Sequence, residues 1–440
     1  MIGTKNQVIK TKKLKPHLFG VFFDMEIKEL HQLFINSSGV TTDSRQIEKD
    51  SIFFALKGDN FDGNLYAQSA IEKGSSYAVV DNKEYCLTDK HILVEDVLKC
   101  LQQLAKYHRS QLNCPVLGIT GTNGKTTTKE LITTVIETKY KTVSTKGNLN
   151  NHIGVPLTLL SAQLDTEFLI VEMGANHIHE IEFLCGLAQI DFGLITNIGK
   201  AHLEGFGSVE GVLKAKKELY DYIESHDGVL FVNGNDDLLM SISKNIKRII
   251  YNLEKQNETA SPFAKVDFQD HLISSKLIGD YNKTNILAAC QIGQYFSVST
   301  ENIKDAIENY RPTNNRSQLL ETTENTIIMD AYNANPSSMA EAIKAFQKIK
   351  HKRKLYILGD MLELGNNSLV EHQKIIDQLS ENDSEVILIG KEFKKCKHDF
   401  VHFSESDQAL QWIQEKPIKD AFILMKGSRG TRLEKLREAL

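Results

Sequence analysis

Nowhere in the sequence do two cysteines stand at Cys-x-x-Cys spacing. The six present, Cys86, Cys100, Cys114, Cys185, Cys290 and Cys396, are scattered. That excludes a zinc knuckle and reads as reduced thiols in a cytoplasm. No apolar run is long enough to span a bilayer, so no membrane insertion is expected. An excess of positive charge is also missing. The net charge is -5, which excludes a general nucleic-acid binder. Internal repeats and low-complexity linkers are absent. The first residues are basic (Lys5, Lys10, Lys12, Lys13, Lys15) but lead into no apolar core, so they read as a solvated leader and not as a secretory signal.

What remains is an ordinary globular composition, 41% hydrophobic and 25% charged, which argues against long disorder. At 440 residues the chain is too long for one hydrophobic core, and two or three domains are expected. Three regions separate by pattern. Residues 1–92 mix short apolar runs, "SIFFALKG" (51–58) and "SYAVVD" (76–81), with turn-rich pieces, as a small α/β unit does. Over 93–311 strands and helices alternate. "VLGIT" (116–120), "EFLIVEMG" (167–174), "FGLITNIG" (192–199) and "GVLFVN" (228–233) read as buried strands of a parallel sheet, with crossover helices between them. Over 312–440 the rhythm restarts with "NTIIMDAY", "KLYILGD", "EVILIG" and "AFILMKG", a second, smaller doubly wound domain. Proline disfavours helix in the residue before it, so Arg311-Pro312 is a natural boundary.

The stretch "GITGTNGKTTTKE" (118–130) carries the first chemistry. A strand ends at Thr120, a loop holds Gly121, Thr122, Asn123 and Gly124, and a helix begins at Lys125. Backbone N–H groups in such a loop, with the helix N-terminus behind them, cradle phosphate. Lys125 can reach the outer phosphates and the Thr126 hydroxyl can bind Mg²⁺, with Thr127 following. The usual spelling has a glycine where this chain has Ile119. Mg²⁺ also needs hard oxygen ligands. Glu172, after an apolar strand, stands at the ligand-binding edge of a parallel sheet. His202, in a glycine-rich loop after the next strand, is open between a structural residue and a ligand. Lys216, beside Lys214 and Lys217, reads by itself as a solvated helix lysine.

Together these residues resemble the Mur ligase family, the ATP-dependent amide-forming enzymes of peptidoglycan precursor synthesis, over nearly the whole chain. The fold implied is α/β in three domains: a small N-terminal UDP-sugar domain, a central P-loop ATPase domain with a parallel sheet, and a C-terminal Rossmann-like domain. The family's ATP loop lacks the early glycine, which accounts for Ile119. "GDYNKTNILAA" (279–289) is similar to the family's adenine-contacting motif and carries Asn282 and Asn285. "AKKE" (215–218) matches a family motif whose lysine is carbamylated, so the resemblance makes Lys216 a carbamate ligand for metal.

"MDAYNANPSSM" (329–339), "LGDMLELG" (358–365) and "KGSRGTRLE" (426–434) resemble the branch that adds D-alanyl-D-alanine to UDP-MurNAc-tripeptide. The "DNPR" string of the branch adding the third residue is absent. The resemblance implies cytoplasmic, monomeric action with ATP and two Mg²⁺. Lys125, Thr126 and Glu172 would serve the phosphates and one ion, and His202 with carbamylated Lys216 would hold the second. Arg316 would reach the γ-phosphate and Asp330 the ribose or phosphate end. It further implies Ser44 and Arg45 as uridine or pyrophosphate contacts, and Asn148 and Asn151 as substrate contacts. Asn333, Asn335, Lys426 and Ser428 would meet the dipeptide and peptide terminus. His372 is open between a place near the amine and the helix surface. One departure is Asn315, where the family has glycine before Arg316; Asn tolerates left-handed backbone, so the turn is expected to survive. Two rivals remain: a ligase with another acceptor, and a nucleotide-binding module without chemistry.

Overall fold

The computed structural model describes residues 25–199, 203–253, 262–380 and 384–440. The basic leader and His202 lie outside these. The chain forms two compact units, Met1–Tyr107 and His108–Leu440.

The first unit is built on a four-stranded parallel sheet, in the order Val40–Thr41, Ile52–Phe54, Tyr77–Val80, His91–Leu93. Ile52, Phe53 and Phe54 are all buried. A continuous apolar run is what a strand covered on both faces requires. Phe53, Ala78 and Val80 pack against Ala67 and Ala70 of the helix Ala67–Glu72. The "KGDNFDGN" stretch makes the hairpin Lys57–Gly58 with Phe61–Asp62. Asn64, fully buried, ties this hairpin to Asp81 through its Nδ2 at 2.9 Å.

In the second unit a six-stranded parallel sheet runs Arg248–Tyr251, Val229–Asn233, Phe192–Ile195, Val116–Thr120, Phe168–Glu172, Thr142–Ser144. The chain leaves Val116–Thr120 toward one edge and later returns to its other side at Phe192–Ile195. The strand order therefore reverses at Val116–Thr120, and the crevice at its carboxyl end is where such sheets bind ligands. A second six-stranded sheet runs Gln318–Glu321, Thr326–Asp330, Phe422–Lys426, Lys354–Gly359, Glu385–Ile389, Val401–Phe403, parallel except for its first strand.

In the second unit two antiparallel pieces depart from the expected strand–helix rhythm. One is that first strand, Gln318–Glu321. The other is the hairpin Phe263–Phe268 with His271–Ile278. Its two-residue turn is Gln269-Asp270, with φ of 50° and 61°. Two central residues at positive φ are the signature of a type I′ turn, usually spelled with Asn or Asp followed by Gly. Here no glycine marks it, so the hairpin left no local signal.

Candidate functional site

The strand Val116–Thr120 delivers the loop, and the helix Lys125–Ile136 receives it. Ile119 is fully buried inside the strand, paired with Leu194 and Glu172 on either side. The bend falls two residues later. Gly121 has φ 144°, and a Cβ there would lie 2.0 Å from Thr196 Oγ1. Gly124 has φ 78°, and a Cβ would meet Asn285 Oδ1 at 2.9 Å. The loop keeps its glycines where backbone geometry and close approach demand them.

The loop after Phe192–Ile195 is laced to this cradle. Asn197 Oδ1 accepts from the Asn123 N–H at 3.0 Å, and Thr196 Oγ1 donates to Asn123 O at 2.6 Å. The Gly199 N–H donates to Thr122 Oγ1 at 2.9 Å. Lys125 Nζ donates to Gly121 O at 2.7 Å and Thr122 O at 3.1 Å, curled over its own loop. Burial pushes its pKa down, and the nearby charge of Arg316 adds to that; Glu172 opposes it.

Glu172 ends its strand 1% exposed. Its Oε1 accepts from Asn150 Nδ2 at 2.8 Å, while its Oε2 is buried and has no partner among the described residues. An orphaned buried carboxylate oxygen is costly unless something cationic completes it. With the Thr126 hydroxyl in the same pocket, the donor set is hard oxygen and suits Mg²⁺, which takes one or two protein oxygens and completes its shell with phosphate and water. Asn150 was missed from sequence; Asn148 and Asn151 were favoured. Asn148 is exposed. Asn151 Oδ1 accepts from the Ile153 and Gly154 N–H groups, at 3.1 and 2.9 Å, where the helix Gly154–Leu160 begins. Lys129, one turn beyond Lys125 and 3% exposed, reaches Thr145 O at 2.7 Å and anchors the start of that Asn-rich loop.

Lys216 is not a solvated helix lysine. It is 2% exposed, with its Nζ 5.7 Å from the ring centre of Phe206. Burial first, and then the charge of Lys125, lower its pKa to about 7, against the pull of Glu180, Glu218 and Glu172. Near neutral pH much of this amine is uncharged. Its motif partner Glu218 is structural: its carboxylate accepts from the His179 N–H at 2.6 Å and the Glu182 N–H at 3.1 Å, at the start of the helix Glu180–Ala188.

The pocket that gathers these groups has a volume of about 410 Å³. Lys125, Thr126, Glu172, Asn285, Arg316 and Asp330 all line it. Thr122, Asn123, Gly124, Thr127, Asn282, Asn333, Asn335 and Lys426 do so as well, and Asn150, Asn197, Tyr281 and Tyr332 were not foreseen. Asn285 Nδ2 donates to Asn282 Oδ1 at 3.0 Å, and Asn282 in turn donates to Ile278 O. The turn before Gln318–Glu321 keeps its form despite lacking glycine. Asn315 takes φ 55°, as expected, and Ser317 takes 49°. Arg316 between them lies 3.9 Å from the Tyr332 ring centre.

Asp330 accepts from Lys426 Nζ at 2.5 Å and from the Ser317 N–H at 3.2 Å. Asn335 caps the helix Pro336–Gln347 in a capping box with Ser338, and its Nδ2 donates to Asn123 Oδ1 at 2.7 Å. Ser428 is buried in the wall and does not line the pocket. Its N–H donates to Asp360 O at 3.0 Å, and its Oγ accepts from the Leu362 N–H at 3.0 Å. His372 is fully buried, neither on the helix surface nor lining the pocket. Its Nε2 accepts from the Met361 N–H at 3.0 Å and its Nδ1 donates to Ser368 O at 2.7 Å, which fixes a neutral tautomer. Ser44 and Arg45 belong to the first unit. Arg45 grips Asp43 in two contacts, at 2.9 and 2.8 Å, and that pairing lowers the Asp43 pKa to about 2.

The chain matches three family models: "Mur ligase family, catalytic domain" over 36–109, "Mur ligase middle domain" over 119–293, and "Mur ligase, glutamate ligase domain" over 315–429. It is 35% identical over 421 residues to the UDP-N-acetylmuramoyl-tripeptide--D-alanyl-D-alanine ligase of Bacillus subtilis (strain 168), covering 90% of this chain and 92% of that one. It is 34% identical over 443 residues to the enzyme of the same name from Buchnera aphidicola subsp. Baizongia pistaciae, covering 96% and 95%. Among solved structures it is similar to MurF from Acinetobacter baumannii, with TM-score 0.80 and 28% identity over 93% of this chain and 97% of that chain.

Proposed function

This chain belongs to the Mur ligase family, and on that footing we propose that it joins D-alanyl-D-alanine to UDP-N-acetylmuramoyl-tripeptide at the expense of ATP. The products are the UDP-MurNAc-pentapeptide, ADP and phosphate. One observation carries the reading: the pocket brings Lys125, Thr126 and a Glu172 oxygen with no partner among the described residues together with Arg316 and Tyr332 from beyond Arg311. The named relatives support the choice of acceptor.

The reaction we draw has two steps. The γ-phosphoryl group of ATP passes to the terminal carboxylate of the tripeptide, forming an acyl phosphate and ADP. The dipeptide amine then attacks the acyl carbon, and phosphate leaves from the tetrahedral intermediate. The protein's part in the first step is positioning and charge neutralisation. The cradle N–H groups and Lys125 hold the β- and γ-phosphates. Thr126 and Glu172 would hold Mg²⁺, which screens the repulsion between phosphate and the acceptor carboxylate. Arg316 neutralises the γ-phosphate, and Asn282 and Asn285 face the adenine. Asp330, held by Lys426, is assigned to the ribose or phosphate end.

Lys216 we assign as a carbamate, formed when its neutral amine takes up CO₂, which gives an anionic oxygen where a bare ammonium would repel a cation. Its burial and lowered pKa support this. His202 is assigned to the second metal with it. Ser44 and Arg45 are assigned to the UDP end, and Asn148, Asn151, Asn333 and Asn335 to the peptide ends. The site of action in this reading is the cytoplasm, and the chain acts as a monomer in three domains, 1–92, 93–311 and 312–440.

The test is phosphate release by the purified protein with ATP, Mg²⁺ and UDP-MurNAc-tripeptide, with and without D-Ala-D-Ala. Release that requires the dipeptide, with a pentapeptide product by mass, is expected. Release with a single amino acid or a folate acceptor instead would move the chain to another branch and overturn the acceptor assignment.

A further inference from the structure

The end of the strand Phe422–Lys426 and the turn after it offer three polar side chains within four residues, Lys426, Ser428 and Arg429. Two of them are committed. Lys426 is 2% exposed and paired with Asp330 at 2.5 Å. Ser428 is 3% exposed, and its Oγ accepts from the Leu362 N–H. Neither is free to receive a second anion. Arg429 is different. It is exposed, and among the described residues it has no ion pair. Its guanidinium lies 5.9 Å from the centre of the Tyr332 ring, the same ring that carries Arg316 at 3.9 Å.

The turn that carries Arg429 is built rigidly. Thr431 Oγ1 donates to Ser428 O at 2.6 Å, and the Thr431 N–H donates to the same oxygen at 2.9 Å. The Arg432 N–H closes onto Arg429 O at 3.1 Å. Ser406 Oγ donates to Thr431 O from the other side. Gly430 packs so closely that a Cβ there would meet Leu362 Cδ1 at 2.9 Å, and Leu362 is 46% exposed. An exposed guanidinium on a hydrogen-bonded turn thus lies beside an aromatic ring at the pocket wall, and the next residue, Gly430, packs against an exposed leucine. The ligand this suits has a carboxylate and small apolar groups, since a planar guanidinium takes a carboxylate in two parallel hydrogen bonds.

D-Ala-D-Ala is such a ligand: one carboxylate and two methyl groups. We propose that Arg429 receives the C-terminal carboxylate of the acceptor dipeptide and so selects acceptors with a free carboxyl end. This rests on the acceptor assigned above. Arg316 stays with the phosphates, and the shared Tyr332 ring sets the two anions side by side, the amine end of the dipeptide toward the acyl carbon.

The experiment compares D-Ala-D-Ala with its C-terminal amide in wild type, Arg429→Met and Arg429→Lys. A charged hydrogen-bonded pair is expected to separate the two acceptors by about tenfold or more in KM for wild type. Arg429→Met raises KM for the dipeptide by about that factor, leaves KM for the amide and for ATP in place, and Arg429→Lys recovers part of the loss. A wild-type KM for the dipeptide in Arg429→Met, or an equal rise for dipeptide and amide, overturns the assignment of Arg429. A wild-type protein that releases no phosphate with D-Ala-D-Ala while using another acceptor overturns the acceptor itself, a separate result. Arg429 is exposed, so both variants are expected to fold, and a wild-type melting curve checks this.

Discussion

Replacing Glu130 with alanine cuts the tie between the phosphate cradle and the segment that presents Arg316. Glu130 sits on the helix Lys125–Ile136. One of its carboxylate oxygens accepts from the Tyr310 hydroxyl, and the other accepts from Asn314 Nδ2 at 2.7 Å. Its side chain is 25% exposed, so solvent screens the pair only in part. Arg316 follows two residues after Asn314, held between two left-handed residues. Hydrogen bonds to a charged group contribute about 1.5–3 kcal/mol each, so two of them at a partly exposed site amount to roughly 2–4 kcal/mol. The Asn314 Oδ1 is already buried without a partner among the described residues, so this residue gains nothing there when its donor is orphaned too. For a domain of this size the loss is a fall in Tm of roughly 5–10 °C. Steady-state kinetics should show KM for ATP rising by about tenfold, since misplacing one charged group by an ångström costs at least that much. Glu130→Gln, which keeps an acceptor for one donor, is expected to fall between. A Glu130→Ala protein with wild-type Tm refutes the energetic argument. One that melts early yet keeps its KM for ATP refutes the link to Arg316.

Burial lowers the pKa of His91, His108 and His372. The unfolded chain takes up these protons below about pH 6.5 and the folded one resists, so stability present above that pH is lost below it, by up to about 1 kcal/mol per histidine at pH 5.5. A urea midpoint that does not fall between pH 7.5 and pH 5.5 contradicts this. His179 is held at φ 74° and its side chain pairs with the exposed Glu182; His179→Gly is expected to raise stability by roughly 0.5–1 kcal/mol, read as a higher denaturant midpoint. Lys216→Ala is expected to abolish phosphate release, with partial recovery on adding a short carboxylic acid; full activity without the acid removes the carbamate assignment. Asn335→Ala removes a helix cap and the contact to Asn123, a loss of about 1–2 kcal/mol measurable by calorimetry.

How far the sequence could be read depends on the range of the physics involved. A strand covered on both faces must be apolar throughout, so Val116–Thr120 was legible to the residue and Phe168–Glu172 within two residues. The cradle was legible because the strand, the two glycines and Lys125 act over ten consecutive positions, 116–125. Asn315 could be placed in the left-handed region because that property belongs to the residue itself. The hairpin around Gln269-Asp270 was not legible, because its turn uses residues that reach positive φ only when the paired strands hold them there.

The polar residues divide in the same way. Asn148, Asn150 and Asn151 are indistinguishable by type, and only the approach of Phe168–Glu172 decides that Asn150 meets the carboxylate. Ser428 reads as a ligand contact in a motif, yet its Oγ accepts from the Leu362 N–H and its carbonyl closes the turn that presents Arg429. Lys216 shows the limit most clearly: three lysines within four positions look equally solvated, and the packing that buries only the middle one comes from elements far off in sequence. A motif therefore states which residues matter, while the division between those that touch ligand and those that hold them in place is a property of contacts between distant segments. That division is what the Arg429 and Glu130 substitutions measure, the first through an acceptor's KM and the second through a melting temperature together with KM for ATP.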